Sequence, residues 1–184
     1  MTTQPRAAAP ALSGSHTRPA VEDGRPPRLV LRIVTPIITA ILRSPLHRPL
    51  SSQLMLLSVR GRRTGRWVTV PVGRHEFNNN TLLVSVSGRW RHNLGGGAPV
   101  HLTLDGRERV GYSEVIDNPD EVVQIFKMLL DRLGPGGAAL LGMKLNVKRL
   151  PTADEIRPVV ATRWIARVRV TDQPAQRDAR RSQQ

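Results

Sequence analysis

Val59-Arg-Gly-Arg-Arg-Thr-Gly-Arg-Trp-Val-Thr-Val-Pro71 sets four arginines, Arg60, Arg62, Arg63 and Arg66, around two glycines. An apolar run ends at Val59 and an alternating run begins at Trp67, so the stretch reads as strand, basic turn, strand. Glycine lets the backbone turn tightly and present its N–H groups, and guanidinium forks grip phosphate or carboxylate bidentately. The reading is an anion-binding hairpin. The same spacing suits a solvated charged turn, and spacing alone leaves both open.

The strand pattern continues on either side. Gln53–Val59 and Trp67–Gly73 flank the turn, Phe77–Thr81 is a hairpin signal, and Thr81–Ser87 alternates Leu82, Val84 and Val86 against Leu83 and Ser85. Val100–Leu104 and Arg107–Ile116 form a second hairpin through Asp105-Gly106. Arg163–Val170 adds a sixth strand. Short connections favour an antiparallel barrel or sandwich. Helices are expected over Arg28–Arg43, after Asn118-Pro119-Asp120-Glu121, over a turn or two at Ala138–Lys144, and after Thr152-Ala-Asp-Glu155, which has capping-box spacing. The fold class is α+β. Residues 1–27 and 172–184, rich in small and polar residues without periodicity, are expected to be a disordered lead and tail around one domain at 28–171.

Charge narrows the partners. Lys+Arg number 28 against 14 Asp+Glu, a net charge of +14, and no acid occurs between Asp23 and Glu76 while ten arginines do. A solvated face mixes signs, so this stretch points to an anionic partner. Nucleic acid is disfavoured, because no aromatic-studded basic sheet or recognition helix accompanies the charge. The absence of cysteine removes thiolate chemistry, and five histidines without short ligand spacing argue against a metal.

In Arg28–Arg43 the residues Arg28, Arg32, Thr35, Thr39 and Arg43 would align as one polar stripe on an otherwise apolar helix. The segment is too short, and too interrupted by Pro36, to span a bilayer. Packing on the domain and peripheral contact with a membrane interface are both open. The start lacks an apolar core, so the expected location is cytoplasmic, with the inner face of the cell membrane as the peripheral variant.

A second informative stretch, Ser87-Gly-Arg-Trp-Arg-His-Asn-Leu-Gly-Gly-Gly-Ala-Pro-Val100, places aromatic, amide and basic groups beside three glycines. Together, Gly61-Arg-Arg-Thr-Gly65, Pro71, Trp90-Arg-His-Asn-Leu94, Pro99-Val100 and Gly106-Arg107 resemble the deazaflavin-dependent nitroreductase family, in the split β-barrel flavin-binding superfamily. The resemblance runs from about Leu29 to Ile116. It implies a six-stranded split β-barrel with an N-terminal helix and C-terminal helices. It implies coenzyme F-420 as cofactor, with FMN the weaker candidate, and hydride transfer to a hydrophobic quinone, nitro compound or activated alkene. Arg62, Arg63, Thr64 and Gly65 would hold the cofactor's phosphate and polyglutamate tail, with Arg60 and Arg66 adding charge. Gly61, Pro71, Ser85, Ser87, Trp90, Asn93 and Leu94 complete the candidate cofactor-binding set. No catalytic residue is assigned, and a homodimer is the superfamily's expectation. The chain departs from the pattern at Val68, where relatives carry arginine, in its short Ser87-Gly88-Arg89 loop, and in having Tyr112 as its only tyrosine. These departures motivate an alternative, a non-catalytic split barrel that holds a lipid or another cofactor at a membrane surface.

Overall fold

The computed structural model describes residues 18–25 and 28–174, so most of the expected lead and tail lies outside the described residues. Seven strands form one antiparallel sheet: β2 (Leu54–Arg60), β3 (Trp67–Gly73), β4 (His75–Asn78), β5 (Thr81–Ser87), β6 (Ala98–Leu104), β7 (Arg107–Ile116) and β9 (Arg163–Pro174). Their order is β3-β2-β6-β7-β9-β5-β4. The expected six-strand count is therefore corrected to seven. The missed strand, β4, is four residues long and bulged between Glu76 and Asn78, too short to show a period of two.

β3 and β4 are opposite edges of this order, yet only Arg74 separates them in the chain. The two edges must lie together, which curls the sheet into a half-barrel. Strand alternation then sorts side chains into two cores. Met55, Leu57, Val59, Leu82, Val84, Val86, Val100, Leu102 and Val168 fill the inside of the curl. Leu83, Ile116 and Ile165 face outward and are covered by Val122, Phe126, Leu129 and Leu130 of α3 (Pro119–Leu133) and by Ile156 and Val160 of α4 (Ala153–Val160). β5 is thus buried on both faces.

The helix starts follow their local chemistry. The Asn118 side chain accepts from the N–H groups of Asp120 and Glu121 at 2.9 and 3.1 Å, with Pro119 first in the helix. Thr152 and Glu155 cap each other reciprocally. α1 (Arg28–Arg43) packs on the outer side of β2 and β3, beside the short α2 (Arg48–Ser51), but its orientation differs from the expected stripe. Thr35 and Thr39 are half-buried, Leu42 is buried, and Ile33 and Ile37 stand outward at 61% and 56% exposure. Apolar residues surround most of this helix, so only tertiary packing chooses its inner face. No described helix is long and apolar enough to cross a membrane.

Val21–Asp23 forms a strand, β1, inside the segment read as a disordered lead, and it pairs with β8 (Met143–Leu145) at a place read as helical. Both strands are three residues long and are fixed by tertiary contacts. Arg163, 3% exposed, donates to the carbonyl oxygens of Leu141 at 2.6 Å and Gly142 at 2.7 Å, and to Asp23 Oδ1 at 3.1 Å. Hydrogen bonds from Arg25, aided by the charge of Arg163, hold the Asp23 carboxyl down at about 2 against an ordinary 3.8. A depressed carboxyl stabilises the fold above its unfolded pKa and loses that contribution as pH falls through the folded value. We expect Asp23→Asn to be less stable than the parent near neutrality, and the gap to close between about pH 4 and pH 2 in denaturant titrations. A gap independent of pH would refute the assignment.

Candidate functional site

β2 and β3 pair in register from Leu54–Gly73 to Arg60–Trp67, so the basic stretch is indeed a hairpin turn. The Gly61 N–H donates to Arg66 O at 2.9 Å and the Gly65 N–H to Gly61 O at 2.8 Å, which closes the loop on itself. Gly65 has φ +66°, a conformation costly to residues with a Cβ. Arg60 Nε donates to Gly65 O at 3.0 Å and so splints the turn from its stem. None of Arg60, Arg62, Arg63 and Arg66 forms an ion pair among the described residues. Surface arginines near acids normally find one, so the turn is a region of unbalanced positive potential.

The second stretch folds onto this turn. After β5 the chain makes a 3-10 turn over Gly88–Asn93, whose Asn93 Oδ1 accepts the Arg62 N–H at 3.2 Å while His92 O accepts from Arg62 Nη1 at 3.4 Å. The glycine loop that follows is anchored by the buried Ser113 hydroxyl, which donates to Leu94 O at 2.8 Å. Turn and loop together enclose a cavity of about 940 Å³ lined by Arg60, Gly61, Arg62 and Gly65 on one side and by Arg91, His92 and Asn93 on another. Ala98, Pro99, Val115 and Trp164 give it an apolar wall. An adjoining recess of about 780 Å³ shares Gly61, Arg62, His92 and Asn93 and adds Arg63, Thr64, Val68 and Arg89.

Charge in the cavity is one-sided. Its only carboxylate lining is Asp117, whose Oδ1 lies 3.8 Å from Arg91 Nη1, too long for a hydrogen bond and screened by its exposure. Arg91 is held instead by stacking, its guanidinium carbon 4.0 Å from the centre of the Trp164 ring. The cavity thus offers a basic rim, a flat cation on an indole, and apolar strand ends. It suits a ligand with an anionic arm and a planar, partly apolar body.

Of the candidate set, Arg60, Gly61, Arg62, Gly65 and Asn93 line the main cavity, and Arg63 and Thr64 line the recess. Arg66 belongs to the same turn without lining either. Pro71 pairs with Leu56 on the outward face of β3, the side away from the inner core. Ser85 and Ser87 share the outward face of Leu83, since strand alternation carries them away from the curl. Leu94 is fully buried in the inner core, and the half-buried Trp90 packs against that core. Sequence reasoning missed Trp164, Asp117 and Val115. Trp164 reaches the cavity because β9 pairs it with Val86, a contact with no local signal; Val115 and Asp117 arrive at the end of β7.

No family model matches the chain, and no curated protein matches it. Among solved structures, HupZ from Group A Streptococcus is similar at 13% identity and a TM-score of 0.41, over 70% of this chain and 94% of that one. A structure described as a domain-swapped dimer is similar at 14% identity and a TM-score of 0.40, over 71% of this chain and 98% of that one. Likenesses this distant carry no functional weight, and what the site can do rests on its own geometry and on the motifs that line it.

Proposed function

We propose that the chain binds a deazaflavin coenzyme of the F-420 type, its anionic tail on the Arg60–Arg66 turn, and reduces a quinone, nitro compound or activated alkene. The observation that carries this reading is the junction of the basic turn with Arg91–Asn93 around one cavity whose lining holds a single carboxylate. A tail bearing a phosphate and successive carboxylates matches a run of unpaired guanidiniums. FMN shares the phosphate but has no carboxylate run to answer Arg63 and Arg89 in the recess.

In this reading Arg62 and Arg63 grip the tail, and Asn93 holds the turn in place through the Arg62 N–H. Pro99, Val115 and Trp164 provide apolar surface for a planar ring, and Arg91 keeps a positive charge beside it. The reduced coenzyme supplies a hydride, that is two electrons and a proton, to the acceptor. The protein's part is orientation, charge and exclusion of water. Equilibrium titration of the full chain at low salt with oxidised F-420 and with FMN tests the proposal. Preferential binding of the deazaflavin, weakening as salt rises, is expected. Absence of binding at about tens of micromolar removes it.

A second reading is favoured by the outward face of α1. Ile33, Val34 and Ile37 are exposed there, and Leu46, just beyond the helix, is 74% exposed. That face suits a non-catalytic protein resting on a membrane interface. Flotation of the full chain with anionic liposomes, lost in Ile33→Asp/Ile37→Asp, would support this reading. Distribution unaffected by the substitutions would eliminate it.

A further inference from the structure

The inward rows of β6 and β7 run in register as Val100–Gly111, Leu102–Arg109 and Leu104–Arg107. Ala98 and Val115 end these rows at the cavity described above. At the opposite mouth of the half-barrel the inward positions, elsewhere occupied by core residues, are Arg107 and Arg109. They line a cleft of about 630 Å³ together with His47, Arg48, Ser51 and Arg74. Arg107 is exposed and Arg109 half-buried, so both cations stay open to an anion entering from solvent.

The walls of the cleft are fixed. Arg74 donates to Ser51 O at 3.0 Å, to both carboxylate oxygens of Asp105 at 2.9 and 3.0 Å, and to Glu76 Oε1 at 2.7 Å. Its guanidinium is therefore spent on two acids, of which Asp105 also lines the cleft, so one carboxylate charge stands against the three remaining arginines there. The Ser51 hydroxyl donates to His47 O at 2.9 Å, so it can only accept from His47 Nδ1, 2.8 Å away. The His47 ring sits on Gly106, where a Cβ would come within 2.7 Å of Nε2, and the Asp105-Gly106 turn has φ of 50° and 72°. α2 is thereby locked onto the tip of the β6–β7 hairpin. Arg48, Arg107 and Arg109 form no ion pair among the described residues. Glu108, the acid between the two strand arginines, belongs to the other face by alternation.

We propose that this mouth is a second anion site, independent of the deazaflavin reading, which takes a multiply charged phosphate between Arg48, Arg107 and Arg109. Three guanidiniums lining one cleft, two from β7 and one from α2, can give such a group charge-assisted hydrogen bonds. The phosphate could belong to a free metabolite or to a lipid headgroup, and exposed Leu46 beside His47 leaves both routes open.

The test uses the full chain in an Arg62→Ala/Arg63→Ala background, which disables the first site. Inorganic pyrophosphate is titrated calorimetrically, and phosphatidylcholine vesicles with and without phosphatidic acid are used for flotation. Each is repeated with Arg107→Gln/Arg109→Gln added, and with Arg48→Gln, an exposed α2 position that spares the barrel if the double variant fails to fold. We expect at least a tenfold loss of affinity for the probe that binds. Loss with pyrophosphate assigns a free phosphate, and loss only with phosphatidic acid assigns a headgroup. Binding of both probes unchanged by the substitutions, or of neither probe before them, overturns the site.

Discussion

Arg62→Ala/Arg63→Ala should weaken F-420 binding by about two orders of magnitude or more at low salt, while its unfolding midpoint stays close to the parent's. A hydrogen bond to a charged partner is worth about 1.5–3 kcal/mol, so two lost grips correspond to about 10²- to 10⁴-fold in affinity. Both side chains are exposed, and among the described residues Arg62's only side-chain hydrogen bond is the long one to His92 O at 3.4 Å. The turn keeps its shape through backbone bonds at Gly61 and Gly65, which the substitutions leave alone. Arg66→Ala, outside both cavities, should cost less, and that ordering tests whether Arg66 substitutes for the arginine that Val68 replaces. Equal affinity in parent and double variant, measured by the same titration, sinks the tail-on-turn reading even if the coenzyme binds.

Arg163→Met should cost about 1–3 kcal/mol in chemical denaturation and release the β1–β8 pair first. Two opposing effects meet at this residue. Burial pushes the guanidinium below its ordinary pKa, and its Nε lacks a partner, so the charge itself is held at a cost. Replacing a whole buried ion pair by apolar groups is often neutral. Here only one partner is removed. The Leu141 carbonyl, which Arg163 caps, cannot be replaced, and an unsatisfied acceptor costs about 1–3 kcal/mol, whereas the Gly142 carbonyl keeps the Gly24 N–H at 3.0 Å. The orphaned Leu141 carbonyl and the lost ion pair with Asp23 therefore outweigh the relief of the charge. Hydrogen exchange at Met143–Leu145 should accelerate more than at the inner strands β2 and β6. A loss under about 1 kcal/mol would show that water reaches the Leu141 carbonyl.

The half-barrel's strands were legible where alternation is clean, as in β7, and where a short apolar run lies between turn signals, as in β5. The Asp105-Gly106 turn, the Asn118 cap and the Thr152–Glu155 box were legible because each is settled by neighbours within four residues. β4 and the β1–β8 pair were not. Strands of three or four residues have no period to detect, and their partners lie far along the chain. The same holds for the site. The arginine turn announces itself by glycine spacing, whereas Pro71, Ser85 and Ser87 lie on faces turned away from the inner core, a parity that a motif alone does not fix.

What the sequence by itself determined is local: a basic hairpin without nearby acids, its antiparallel neighbours, and helices begun by their caps. Backbone conformation and short-range hydrogen bonds decide such features, and the residues that make them are adjacent. Tertiary structure alone decided which face of α1 is buried, that Trp164 and Asp117 join Arg62 and Asn93 around one cavity, and that Arg107 and Arg109 stand at the opposite mouth. Those outcomes depend on how the sheet curls, and curling is set by pairings between strands distant in the chain, such as Leu56 of β2 with Thr103 of β6 and Thr81 of β5 with Arg169 of β9.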